Sequence, residues 1–251
     1  MAIRAVLFDL GNTLWHIPEL PPVERIREET VRRIFGLLRS WGVEPEGNLR
    51  FLGRDIRLAI TEADRRAYES DAVSPHFPTI VRQVAAANGL DLTPEQSQQL
   101  WETWNLEGSF FGRRLFDDAV ETLRALRDHG YRLACVTNRP FGGPRFLAEV
   151  EESGLAELFD ALSVSCDIGY MKPHPKIFQH ALEALDVEPE LAVMVGDSLR
   201  ADIAGAQALG MTTVWRRYHG TVEQLDGIRP HFVVDELREL LDLPVLQANA
   251  S

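Results

Sequence analysis

This sequence predicts an α/β fold, a doubly wound parallel sheet interrupted near its start by an all-helical insert. Three observations lead there. The chain opens with an apolar run, Ile3-Arg4-Ala5-Val6-Leu7-Phe8, that ends in an acid, Asp9. From about Leu115 onward short apolar runs alternate with segments of helical periodicity. Between these, from about Glu19 to about Gly108, the pattern is helical throughout. Strands alternating with helices imply parallel strands joined by right-handed crossovers. Open sheets of this kind bind ligands at the carboxyl ends of their strands, so residues at strand ends carry the functional reading.

Each element follows from its own signals. After the first strand, Asp9-Leu10-Gly11-Asn12-Thr13-Leu14 reads as a turn. Pro22 sits where a first helical turn tolerates proline, and Ile26, Thr30, Ile34, Leu38 and Trp41 repeat at helical spacing until Gly42. Phe51, Ile56, Ala59, Ile60 and Ala63 give a second amphipathic helix, broken around Ser74-Pro75. A third runs from Phe77 to Asn88 and ends at Gly89. Thr93 with Gln96 three residues on is a capping-box signature, and opens a helix carrying Leu100, Trp101 and Trp104. The two tryptophans share an apolar face with Leu100, which places them in the core of the insert. Phe110-Phe111-Gly112-Arg113-Arg114 reads as the second hinge. The predicted division is therefore a core of residues 1–18 and 113–251 and a helical cap of residues 19–112.

In the core, Ala119, Leu123 and Leu126 mark a helix closed by Gly130. Strands are expected at Tyr131 to Val136, Phe159 to Val164, Ala192 to Val195, Thr212 to Trp215 and His231 to Val234, with a last helix at Glu236 to Leu241 and a frayed tail from Gln247 to Ser251.

Bulk properties exclude several functions. The 251 residues, 45% hydrophobic and 25% charged, describe an ordinary globular protein with room for one large domain or a core and a smaller insert. A net charge of -12 argues against a nucleic-acid partner, and requires that an anionic substrate be met by a local positive group or a metal. Cys135 and Cys166 read as unbridged thiols in or beside core strands. No signal-peptide pattern opens the chain and no apolar run is long enough to span a membrane. A cytoplasmic protein without a membrane partner is expected.

Four strand ends carry chemistry. Asp9 is the candidate nucleophile, since a carboxylate can attack phosphorus and divide a hard hydrolysis into two easier steps. Thr137-Asn138 ends the second core strand. The Thr137 hydroxyl and the Asn138 backbone N–H can hold the transferring phosphoryl group. Lys172, in Met171-Lys172-Pro173-His174-Pro175, stands where two prolines oppose helix, and can hold Asp9 and a phosphate oxygen. Gly196-Asp197-Ser198 with Asp202 ends a fourth strand. Oxygen ligands from Asp9 and Asp197 suit magnesium, and Asp202 is either a further ligand or acts through a metal-bound water. Each residue alone has an ordinary explanation as a turn, cap or strand residue. Together, in this order, they form a phosphoryl-transfer set.

In these motifs the chain resembles the haloacid dehalogenase-like (HAD) hydrolase superfamily. The resemblance covers most of residues 1–18 and 113–235, and the position of the insert resembles the helical-cap subgroup. It implies a Rossmann-like core, Asp9 as nucleophile, Thr137 as second-motif hydroxyl, Lys172 as third-motif lysine, and Asp197 and Asp202 as fourth-motif acids. It also implies Mg2+, bound in part by the Gly11 backbone carbonyl. The implied reaction is hydrolysis of a small phosphorylated metabolite, by a monomer or homodimer.

One position departs from the pattern. Phosphatases of this superfamily usually carry a second Asp two residues after the nucleophile, and here that residue is Gly11. Glycine keeps a carbonyl but cannot protonate a leaving group, and general acid catalysis typically contributes about 10²–10⁴ in rate. Three accounts follow. The substrate has a good leaving group, such as an anomeric or acyl phosphate; or His16 supplies the proton; or the core is a catalytically weak phosphate-binding or interaction module. A metal-independent 2-haloacid dehalogenase is a further alternative, since such enzymes also lack the second acid, although they have no use for the acid turn at Asp197.

Overall fold

The computed structural model describes residues 2–218 and 227–247. Its strands are β1 (Ala5–Phe8), β2 (Trp15–His16), β3 (Arg114–Leu115), β4 (Arg132–Thr137), β5 (Ala161–Val164), β6 (Ala192–Gly196), β7 (Thr212–Arg216) and β8 (Phe232–Val234). Six of them form one parallel sheet in the order β5-β4-β1-β6-β7-β8. The chain thus builds outward from β1 to one side through β4 and β5, then returns to the other side for β6, β7 and β8. That reversal leaves β1 between β4 and β6, with Phe8 level with Cys135 and Val195. The switch point of the topology is therefore the carboxyl end of β1, where Asp9 lies.

Alternation along the strands explains why both faces of this sheet are covered. Val6, Phe8, Leu133, Cys135, Val193 and Val195 point into one apolar layer. Ala5, Leu7, Ala134, Val136, Ala192 and Met194 point into the other. Continuous apolar strands are what a parallel sheet buried on both sides requires.

The chain divides into two compact units, Met1–His16 with Asp71–Ser74 and Arg114–Ser251, and Ile17–Ser70 with Pro75–Arg113. The second unit is helical: α1 (Val23–Ser40), α2 (Leu52–Glu69), α3 (Phe77–Ala87) and α4 (Pro94–Trp104). Its core gathers Ile34, Leu38, Ile56, Val81, Leu100 and Trp101, the periodic positions of the four helices. The capping box opens α4, with Thr93 Oγ1 accepting the Gln96 N–H at 3.2 Å and Gln96 Oε1 accepting the Thr93 N–H at 3.0 Å. Trp101 stacks between Phe77 and Trp104, and the Trp104 indole N–H donates to the Gly53 carbonyl at 3.0 Å.

In the first unit, α5 (Ala119–Asp128), α6 (Gly143–Glu152), α7 (Ser165–Ile168) and α8 (Pro175–Leu185) follow their strands. Three features differ from the sequence reading. The segment Asp71–Ser74, inside the stretch read as cap, groups with the sheet unit. It is fastened there by a bridge between Val73 and Tyr170 and by hydrogen bonds from Ser74 N–H to Gly169 O (3.0 Å) and from Met171 N–H to Ala72 O (2.8 Å). Trp15–His16 and Arg114–Leu115 pair as a two-stranded antiparallel ribbon. The expected last helix is a 3₁₀ helix, Leu237–Asp242, begun by a Glu236–Glu239 capping box. Residues 248–251 of the expected tail lie outside the described residues.

Candidate active site

Asp9 is held at the end of β1 by its backbone N–H, which donates to Val195 O at 2.9 Å. The residue is 8% exposed, at the mouth of the sheet. Lys172 Nζ lies 2.6 Å from Asp9 Oδ1 and 2.7 Å from Asp202 Oδ1. At 2% exposure this ammonium is buried, and burial works to lower its pKa. The adjacent charges of Asp202 and Asp9 outweigh that penalty and hold the pKa above its ordinary value, so Lys172 is a fixed cation.

Asn138 sets the position of that lysine. Its Oδ1 accepts the Lys172 backbone N–H at 2.7 Å and its Nδ2 donates to the Lys172 carbonyl at 3.0 Å. The residue after Thr137 thus clamps the loop that carries Lys172, so the end of β4 is registered against that loop.

Asp202 reaches the site through an irregular turn. Leu199–Ala204 forms a π-helical stretch, with the Ile203 N–H returning to Ser198 O at 3.2 Å. Ser198 Oγ caps it by accepting the Ala201 N–H at 3.2 Å. Asp202 Oδ2 accepts the Ser198 N–H at 3.0 Å, while Oδ1 forms the ion pair with Lys172. Glycine is required at 196 because a Cβ there would lie 2.2 Å from Asp202 Oδ2.

Asp197 is fixed from two directions. The Trp215 indole N–H donates to its carbonyl at 2.8 Å, and Asn12 Nδ2 donates to its Oδ2 at 3.2 Å. Oxygens of Asp9, Asp197 and Asp202 all lie within 4.8 Å of one another. Burial, then the charges of Asp9 and Asp202, push the Asp197 carboxyl up to about 7. Burial also pushes Asp202 up, to about 6, against the pull of Lys172. Three carboxylates against one ammonium leave an excess of negative charge in a buried place, and their hard oxygen donors fit a magnesium ion. The donor set and the charge deficit therefore both suit the metal.

Sequence comparison agrees with this geometry. The family model of the haloacid dehalogenase-like hydrolases matches residues 3–210. The chain belongs to that family. Over 244 residues, 96% of this hydrolase and 97% of the relative, it is 31% identical to the glyceraldehyde 3-phosphate phosphatase of Methanopyrus kandleri. A crystal structure of a HAD phosphatase from Thermococcus onnurineus is 27% identical and matches with a TM-score of 0.58, covering 96% of this chain and 97% of that one. A 2-haloacid dehalogenase from Pseudomonas syringae pv. Tomato DC3000 matches with a TM-score of 0.63 over 99% of this chain and 100% of that one. At 24% identity the latter speaks for the fold alone.

The remaining residues singled out in the hydrolase sequence fall in different places. Thr137 ends β4 and is 3% exposed, one strand away from Asp9. Gly11 is exposed and bridged to Trp15, and a Cβ built on it meets nothing within 4 Å. His16 stands among aromatic side chains. Its ring stacks on Phe116 at 4.3 Å and stands edge-on to Tyr218 at 6.1 Å. Arg139, just beyond Asn138, pairs with Glu149 at 2.8 Å and lies over the rings of Phe141, Phe146 and Trp15. Cys135 and Cys166 are not bridged, and burial raises the pKa of both thiols. Among the described residues, no helix is long and apolar enough to cross a membrane.

Sequence reasoning missed the Asn12 side chain, the Asn138 side chain, Trp215 and Arg216. A signal for the last two was available: they end β7, and strand ends were the places to search.

Proposed function

We propose that this hydrolase is a magnesium-dependent phosphatase of small phosphorylated metabolites, acting through an aspartyl-phosphate on Asp9. The observation that carries the reading is the buried chain Asp9–Lys172–Asp202 beside Asp197, at the switch point of the sheet. A phosphatase also agrees with the family and with the relative from Methanopyrus, and glyceraldehyde 3-phosphate is the first compound to try.

Asp9 attacks phosphorus, and the bond from phosphorus to the ester oxygen breaks with its electron pair left on the departing alcohol. Lys172, the Thr137 hydroxyl and the Asn138 backbone N–H hold the phosphoryl oxygens while charge builds on them. Water then attacks the aspartyl-phosphate, releasing inorganic phosphate and restoring the carboxylate. Asp9 and Asp197, with the Gly11 carbonyl, are the residues that would hold the metal, and Asp202 orients Lys172 beside them. When bound, Mg2+ offsets the repulsion between an anionic nucleophile and the phosphate.

Gly11 leaves the departing oxygen without a carboxyl proton donor at that position, and the His16 ring face is taken up by its stack on Phe116. Good leaving groups are therefore favoured, and the released alcohol takes its proton from solvent. The test is phosphate release from a panel spanning glyceraldehyde 3-phosphate, anomeric and acyl phosphates, with magnesium or EDTA. Magnesium-dependent release that falls at least about 10⁴-fold in Asp9→Asn supports the reading. In the same assay Gly11→Asp, whose Cβ meets nothing within 4 Å, raises turnover of alkyl esters by about 10²-fold and leaves acyl phosphates unchanged. Halide release from a 2-haloacid in EDTA, without phosphate release, would make the chain a dehalogenase.

A further inference from the structure

Arg216 ends β7 and is 5% exposed, yet it forms no ion pair among the described residues. Its Nη1 donates to the Asn12 carbonyl at 2.8 Å. Its Nε is buried with no hydrogen-bond partner among the described residues. The guanidinium carbon lies 3.7 Å from the Phe116 ring centroid, and the His16 ring stacks on the same Phe116 at 4.3 Å. A buried, incompletely satisfied guanidinium costs stability, and an apolar side chain at a strand end would cost less. Packing alone therefore gives no reason for an arginine here.

What the arginine holds gives one. Asn12 has a left-handed backbone, φ 55°, in the turn that follows the nucleophile. Its carbonyl is gripped by Arg216 while its side-chain amide donates to Asp197 Oδ2 at 3.2 Å. The cation–π stack on Phe116 restrains the guanidinium from the other side. A continuous set of contacts thus runs from Phe116 through Arg216 and Asn12 to the carboxylate at the end of β6.

We propose that Arg216 is a positioning residue for the metal site, fixing the Asn12 turn so that the Asn12 amide orients the Asp197 carboxylate toward Mg2+. The inference rests on the metal-dependent reading above and deepens it. Arg216 touches neither substrate nor metal; it acts through Asn12.

The test measures the Mg2+ concentration that half-saturates binding in a calorimetric titration, a readout independent of activity. Four proteins are compared: the unsubstituted chain, Arg216→Met, Asn12→Gly and the double variant. Glycine keeps the left-handed backbone and the carbonyl while removing the amide. Loss of a charge-assisted hydrogen bond from Arg216 is expected to weaken Mg2+ binding about tenfold. Asn12→Gly should weaken it similarly, and the double variant no further, because both act through one contact. Arg216→Lys, which can still donate to the Asn12 carbonyl, should recover part of the loss. If Arg216→Met lowers the metal-free Tm and leaves Mg2+ half-saturation unchanged, or if the two losses add fully, the proposal is overturned. Should Arg216→Met fail to fold, Arg216→Lys with Asn12→Gly decides in the same way. An unsubstituted protein that binds no Mg2+ in the titration overturns the metal reading itself, and the proposal with it.

Discussion

The two units use charge in opposite ways. In the helical unit, Glu29 meets Arg32 at 2.6 Å and Arg33 at 2.7 Å, and Glu62 meets Arg65 at 2.9 Å and Arg66 as well. These pairs stand three and four residues apart along their helices, those of Glu62 exposed and Glu29–Arg33 half-buried, where water still screens them and mobile side chains must be ordered to form them. In the sheet unit, Lys172 meets Asp9 and Asp202 at the same separations, but with almost no access to solvent. There the charges have been stripped of water, and their number does not balance. Equal distances therefore carry unequal meaning. The exposed pairs report a solvated helix surface, whereas the buried cluster is a burden on the fold whose explanation lies in chemistry.

The largest test of that contrast is Lys172→Met. Removing the cation leaves Asp9, Asp197 and Asp202 facing one another without compensation, and breaking such a buried pair should cost about 3–5 kcal/mol. Urea unfolding in EDTA measures the loss, and Mg2+ should restore part of it. A variant as stable as the parent would place Lys172 with the surface pairs.

A smaller effect concerns pH. Burial and the neighbouring acids raise Asp197 from its ordinary 3.8 to about 7, so between those values the native protein holds a proton that the unfolded chain has released. Stability from this group is thus greatest at low pH and falls as pH rises through the window. Compared with Asp197→Asn, the metal-free protein should lose urea resistance steadily from pH 5 to pH 7.5. Mg2+ competes with that proton, so its stabilising effect should grow over the same range. A parent that gains stability relative to Asp197→Asn as pH rises would contradict the assignment.

The smallest effect is in the helical unit. Glu62→Ala removes two arginine partners at once, yet the urea midpoint should not move measurably. A clear loss there would mean that the exposed pairs do more than screened surface charges usually do.

The division between what was legible in the sequence and what was not follows the range of the interactions. Asp9, Thr137, Lys172 and Asp197 were readable because each closes an apolar run or sits in a proline- or glycine-marked turn, and such signals are local. The helices of the insert were readable for the same reason, down to the Thr93–Gln96 cap. Asn138 was singled out for its backbone N–H, while its side chain grips a loop 34 residues further on. Asn12 and Asp197 meet across 185 residues, and Arg216 and Asn12 across 204. No periodicity announces such pairs. The ribbon of Trp15–His16 with Arg114–Leu115 was hidden by its length, since two-residue strands carry no alternation. The terminal 3₁₀ helix shares the apolar spacing of an α-helix over so short a run that the two could not be separated.

The return of the chain at Asp71–Ser74 bears on how far the helical unit is a module. An insert joined at two points could be excised or exchanged for another by splicing at its ends. Here the excursion is made twice, over residues 17–70 and 75–113, with a stop on the sheet unit between them. Deleting the whole stretch would take away Ala72, whose carbonyl receives the N–H of Met171, a residue 4% exposed and next to Lys172. A graft that respects only the outer joints would therefore leave an unsatisfied donor one peptide away from Lys172. For anyone recombining these enzymes, the unit of exchange is two helical segments plus the four residues that stitch them down.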